Sequence, residues 1–141
     1  MSKKSIVWIV LILIVCSGGL IAYRMWNKPF PGLSNDGVKV TAIQLFYDFS
    51  TNEKIAQSKY VPETLDSKTV EVTGDIKDTG QNADGEKFYL LNSGDEMFGV
   101  KCIMEKGNEI SNVKPGDKVV IQGFCTGYNM DVILNRCKQV K

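Results

Sequence analysis

The chain has 141 residues, a formal net charge of +1 and no histidine. Lacking histidine, it cannot build imidazole-based triads or histidine-ligated zinc, although chemistry on cysteine or carboxylates stays open. Beyond an apolar N-terminal segment about 110 residues remain, enough for one modest core and too few for two.

Residues 6–22 carry no charged side chain. The core of this run is residues 6–15, followed by Cys16, Ser17, Gly18 and Gly19, then Leu20, Ile21 and Ala22. With Tyr23 it reaches about 18 residues, just long enough at ~1.5 Å per residue to cross a hydrocarbon core. Trp8 at one end, and Tyr23 and Trp26 at the other, suit the two membrane interfaces. Three readings compete. An uncleaved transmembrane helix fits the apolar residues that continue past the glycines and the aromatics at both ends. A cleaved secretory signal fits the short basic start but lacks an A-x-A site. A lipoprotein signal ending at Cys16 departs from its pattern at Val15, where a small residue is wanted. The expectation adopted is a single-pass anchor over residues 1–26, in a cell membrane. Lys3 and Lys4 nearly balance Arg24 and Lys28, so the charge rule is weak. The short N-terminal tail favours a signal anchor with the C-terminal domain outside the cytoplasm. The cysteines of that domain agree with an oxidising compartment.

Residues 27–38 read as a linker, because Pro29, Pro31, Gly32, Ser34, Asn35, Asp36 and Gly37 are turn and loop formers. Residues 39–141 form the folded domain. It opens with a helix: Thr41 is a candidate N-cap, and Ala42, Leu45, Phe46, Phe49, Ile55, Ala56 and Tyr60 recur broadly at helical spacing. Asn52 is placed to split it in two, and Pro62 ends it.

Five strand-like runs follow. Residues 69–76 alternate, with Val70, Val72 and Ile76 on one face. Residues 87–91 form the second run, after a turn built on Asp84-Gly85. Residues 98–104 form the third, 118–124 the fourth, and 131–137 the fifth. Lys114-Pro115-Gly116-Asp117 opens the fourth as a plain turn; it lacks the glycine spacing of a phosphate loop. A longer connection, 105–113, separates runs three and four. Five strands with that one long gap predict a mainly β fold, the five-stranded OB barrel with a preceding helix; an open meander packed on the helix is the rival. Gly74 and Gly123 inside the strand patterns mark bends that help a small barrel close.

The runs 49–60 and 69–74, then Val100-Lys101-Cys102, 116–119, 123–127 and 131–137, together resemble the tRNA_anti-like group of OB-fold domains, found in small envelope or lipoprotein-type proteins of bacteria. The resemblance spans roughly residues 40–140. It implies a helix beside a five-stranded barrel and says little about activity, since a shared fold does not confer a ligand.

Of the four cysteines, Cys102, Cys125 and Cys137 lie in the domain. Strand parity points Cys102 and Cys125 inward. Cys125 and Cys137 flank one hairpin-like connection and are the favoured disulfide, against pairings with Cys102 or three buried thiols. With no C-x-x-C pair and no histidine, no metal site is expected, and no catalytic Cys-His pair is available. No cofactor motif appears. Asp95-Glu96 with Asp75 or Asp78 are the only carboxylates that suggest paired acid chemistry, and nothing in the sequence brings them together; no enzymatic activity is expected.

OB domains bind across their second and third strands. Here the candidates are Lys87, Tyr89, Phe98 and Lys101, with the proviso that Phe88 or Tyr89 faces out, but not both. From Pro29 onward 13 Lys and Arg stand against 16 Asp and Glu, a net charge of −3, which argues against general attraction to nucleic acid. The expected role is a membrane-anchored binding or interaction module of the cell envelope. Its partner would be an envelope protein, a peptide or a glycan, with an oligonucleotide-binding domain as the alternative.

Overall fold

The computed structural model describes residues 37–64 and 68–141, together with Trp8, Gly18, Gly19 and Tyr23. Two compact units divide the chain, Met1–Gly32 and Leu33–Lys141. The expected membrane helix falls outside the described residues apart from those four positions. Among the described residues no helix is long and apolar enough to cross a membrane.

The folded unit begins with β1 (Val38–Thr41), a strand the sequence reading missed; Val38, assigned to the linker, is its first residue. Thr41 ends β1 and caps α1 (Ala42–Thr51), its hydroxyl oxygen accepting from the Gln44 amide at 3.2 Å. Ala42, Leu45 and Phe49 form the buried stripe of α1. Asn52 breaks the helix, at φ −150° and ψ 90°, and its side chain caps α2 (Glu53–Tyr60) by accepting from the Ile55 amide. The split expected at Asn52 is therefore real, but Ile55 points into solvent, 63% exposed, while Ala56 and Tyr60 are buried. The break resets the helical phase, so one periodicity does not run through both helices.

Five longer strands make the barrel: β2 (Val70–Gln81), β3 (Lys87–Asn92), β4 (Gly99–Met104), β5 (Lys118–Asn129) and β6 (Asp131–Gln139). Their order is β1-β2-β3-β4-β6-β5, and a further β2–β5 pairing closes the sheet on itself. β4 and β6 run parallel and the other barrel pairs antiparallel, which is the OB arrangement. The open-meander alternative is thus set aside. β1 lies outside the barrel, parallel to the first residues of β2.

Alternation along each strand fills the interior. Val70, Val72 and Ile76 of β2, Leu91 of β3, and Val100, Cys102 and Met104 of β4 meet Val119, Ile121 and Cys125 of β5 and Val132, Leu134 and Cys137 of β6. Leu45, Phe49 and Ala42 of α1 join the same core, and Phe46 and Phe49 each lie 6.0 Å from the Tyr128 ring. Gly74 and Gly123 serve close approach. A Cβ on Gly74 would sit 2.9 Å from Ala42 Cβ, and one on Gly123 would sit 2.5 Å from Cys137 Sγ. Register shifts at Ile76/Asp78, Cys102/Met104, Gln122/Phe124 and Cys125/Gly127 bend the strands around the closed wall.

Candidate functional site

Strand parity and one glycine build the outer face of β3 and β4. Phe88 pairs across with Ile103, and Leu90 with Lys101, all four half-buried on the outside of the barrel. Opposite Phe88 on β2 stands Gly80, where a Cβ would fall 2.6 Å from the end of the ring. Only glycine leaves room for the ring to lie flat on the neighbouring strand. Lys101 reaches back along the diagonal and holds its Nζ 4.2 Å from the Phe88 ring centroid, a cation–π contact. The result is an aromatic platform with its own cation.

Two depressions flank it. One, of about 400 Å³, is lined by residues that include Gly80, Lys87, Phe88, Ile110 and Asn112. The other, of about 520 Å³, is lined by residues that include Glu86, Ile103, Lys106, Asn135 and Arg136. Lys87, Lys101, Lys106 and Arg136 therefore surround Phe88 and Ile103, with Glu86 and Glu105 as the acids among them.

The four residues singled out from sequence do not form one cluster. Lys87 and Lys101 belong to the platform. Tyr89 borders the first depression but is only 4% exposed and belongs to the core, its hydroxyl donating to the Ile110 carbonyl at 3.0 Å and accepting from the Ile110 amide at 3.1 Å. Phe88, the other member of that either-or pair, takes the outer position. Phe98 lies at the far end of the ladder, just ahead of β4, on the order of 20 Å from Lys87 at ~3.4 Å per residue. It sits in a loop tied down by its own polar groups. Asp95 Oδ1 accepts from the amides of Met97 (2.8 Å) and Phe98 (2.9 Å), and Lys77 Nζ donates to the carbonyls of Asp95 (2.8 Å) and Glu96 (2.6 Å). Those amides hold the Asp95 carboxyl below its ordinary pKa, so its charge serves the loop. The gathering of Lys106 and Arg136 beside Ile103 was not read from the sequence, because the parallel β4–β6 pairing that brings them there has no local signal.

Cys102, Cys125 and Cys137 are buried free thiols in the structure, and the expected Cys125–Cys137 bond is not formed. Cys137 packs against Gly123, where a Cβ would sit 2.5 Å from its Sγ, and its thiol is hydrogen-bonded with Cys102. Burial pushes the Cys125 thiol up to about 11 and raises Cys137 as well, its contact with Cys102 adding to the rise. Neutral thiols of this kind are poor nucleophiles and poor metal ligands.

Comparison with known proteins fits this geometry. Residues 1–139 match the tRNA_anti-like family. No curated protein matches at a significant level. Among solved structures, the chain is similar to a lipoprotein of Klebsiella pneumoniae subsp. pneumoniae to which nucleic-acid binding is ascribed. That match has 18% identity and a TM-score of 0.51, and covers 73% of this chain and 92% of that one. A second match is to the yeast Stn1 and Ten1 structure, at 12% identity and a TM-score of 0.46, covering 78% and 66% of the two chains. The first of these likenesses shows the same fold. With the family match running over nearly the whole chain and its barrel found strand by strand, the chain belongs to the tRNA_anti-like family.

Proposed function

We propose that this protein is a membrane-tethered binding module of the bacterial cell envelope, and that its barrel takes its ligand on the outer face of β3 and β4. The observation that carries the reading is the Phe88 platform: a half-exposed ring seated on Gly80 beneath Lys101. A ring and a cation held together outside a closed barrel offer stacking and charge to one ligand. The apolar run of residues 6–22 supports the tether, which keeps the domain near its partners at high effective concentration. Neutral buried thiols and a carboxylate committed to its own loop support binding over catalysis. Site-specific photo-crosslinking tests this in intact cells. A photoreactive phenylalanine analogue at position 88 should give defined adducts that the same analogue at exposed Glu109 does not. Equal or absent products from position 88 contradict the reading.

A second reading, single-stranded oligonucleotide binding, is favoured by the four basic side chains around Phe88 and Ile103 and by the name of the Klebsiella relative. The domain's net charge of −3, from 13 basic against 16 acidic side chains after residue 28, opposes it. A gel-shift series with a labelled oligonucleotide separates the two. Binding that weakens steeply with salt and fails in Lys101→Ala supports the nucleic-acid reading; no shift at low salt ends it.

A further inference from the structure

The depression of about 400 Å³ beside Phe88 is built from two parts of the chain far apart in sequence. β2 and β3 supply Thr79, Lys87 and Phe88, and the connection between β4 and β5 supplies Ile110, Asn112 and Val113. That connection is pinned in place. The Tyr89 hydroxyl bonds both the carbonyl and the amide of Ile110, at 3.0 and 3.1 Å, and the Asn108 amide donates to the Glu105 carbonyl at 2.9 Å. Asn112 holds a left-handed φ of 58°, which asparagine tolerates better than most residues. The site is therefore shaped before any ligand arrives, which lowers the ordering cost of binding.

Three kinds of surface meet there. Phe88 gives a flat apolar ring. Lys101, whose Nζ lies 4.2 Å from the ring centroid, does not line the depression, so the ring keeps a side for a ligand. Ile110 and Val113, packed against the core, give an aliphatic wall. At the rim the Lys87 ammonium, the Thr79 hydroxyl and the Asn112 carboxamide hold no hydrogen bond or ion pair within the described residues. Lys87 is the only charged side chain lining the depression, too little for a run of phosphates. β3 is hydrogen-bonded on both sides, to β2 and to β4, so it offers no strand edge to a peptide.

We propose that this depression binds one N-acetylhexosamine unit of a β-1,4-linked oligosaccharide. A pyranose with equatorial substituents has flat C–H faces that stack on an aromatic ring, and its hydroxyls radiate in the ring plane toward donors and acceptors such as Thr79 and Lys87. The acetamido group supplies what the rest of the depression asks for. Its methyl lies against Ile110 and Val113, and its N–H and C=O pair with the Asn112 carboxamide. The volume falls in the range of small-ligand sites, about 300–1,000 Å³. The proposal names the ligand class of the outer-face reading and rests on it. Phe88 touches the sugar; Tyr89 is a positioning residue that acts through Ile110.

The test titrates the full chain, in a detergent without a sugar head group, and follows backbone amide shifts by NMR. Chitotetraose should shift the amides of Thr79, Lys87, Phe88 and Asn112 saturably and leave those of β6 in place. It should bind about fivefold more tightly than cellotetraose, which lacks the acetamide. Phe88→Ala should weaken it about tenfold. Tyr89→Phe keeps the buried ring but frees the wall, so it should weaken binding and move the amides of residues 108–112 while those of the strands stay put. No saturation by chitotetraose, equal affinity for cellotetraose, indifference to Phe88→Ala, or displacement of chitotetraose by an oligothymidylate would each overturn the proposal. If position 88 still yields adducts in cells, such a failure removes the sugar alone; if those adducts fail as well, the outer-face reading falls with it.

Discussion

Single atoms decide much of this fold. At Gly123 the space a side chain would need is held by Cys137 Sγ, 2.5 Å from the position of a Cβ, with the Asn135 carbonyl at 3.0 Å. Both neighbours belong to β6, which cannot retreat without opening the barrel wall. Gly123→Ala is therefore expected to destabilise the domain by roughly 1–3 kcal/mol, read as a lower urea midpoint at unchanged slope. Asp48 gives a pH signature. Its carboxyl lies below its ordinary value, chiefly through the Tyr60 hydroxyl bond; burial opposes this next, and the bonds from Gln44 and Lys59 add smaller lowering effects. A folded-state pKa depressed in this way gives stability that is present above the unfolded value of ~3.9 and is lost as pH falls through the folded one. Tyr60→Phe removes the largest cause and keeps the buried ring. It should flatten the fall in stability below about pH 4 in a pH series of unfolding curves, and an unchanged acid limb would contradict the assignment.

At the scale of the element, local chemistry was legible and non-local pairing was not. The Thr41 cap and the Asn52 break could be read because short polar side chains satisfy amides two or three residues away. The five barrel strands could be read because alternation and Gly or Asp turns are local. β1 was hidden: Val38 to Thr41 is four residues long after a turn-rich stretch, and its partner, β2, begins at Val70 with two helices between. β5 was cut short at Phe124, since Tyr128-Asn129-Met130 reads as a turn, and it runs on to Asn129. In the barrel Gly127, at φ 142°, carries the strand through a register shift. The choice between Phe88 and Tyr89 turned on Ile110, which lies 21 residues from Tyr89 and takes up its hydroxyl. The outer face has its own expected outcome. In Gly80→Ala the new methyl meets only the movable end of the Phe88 ring. The ring should swing off its seat, changing the Phe88 ring-proton shifts by NMR, at a stability cost of under about 1 kcal/mol. The loop before β4 behaves differently. Lys77→Met removes the ammonium that holds the Asp95 and Glu96 carbonyls, so amides 94–98 should exchange faster while those of β3 and β4 stay protected.

At the scale of the whole molecule, helix and barrel form one core. Leu45 is fully buried between α1 and the strands, so Leu45→Ala is expected to cost roughly 2–5 kcal/mol and to lower unfolding of helix and strands together. Among the described residues closure of the sheet through β2–β5 leaves few free edges, and the outer face of β3 and β4 carries an aromatic ring and its cation outside the barrel. The proposed tether would bring that face to partners in the envelope. The most direct measurement of this claim is hydroxyl-radical footprinting of the chain in native membranes and again after purification. Phe88 and Ile103 should be protected in the membranes and become reactive on purification, while Tyr89 stays protected in both. Equal oxidation of Phe88 in the two preparations would show an unoccupied face and contradict the account.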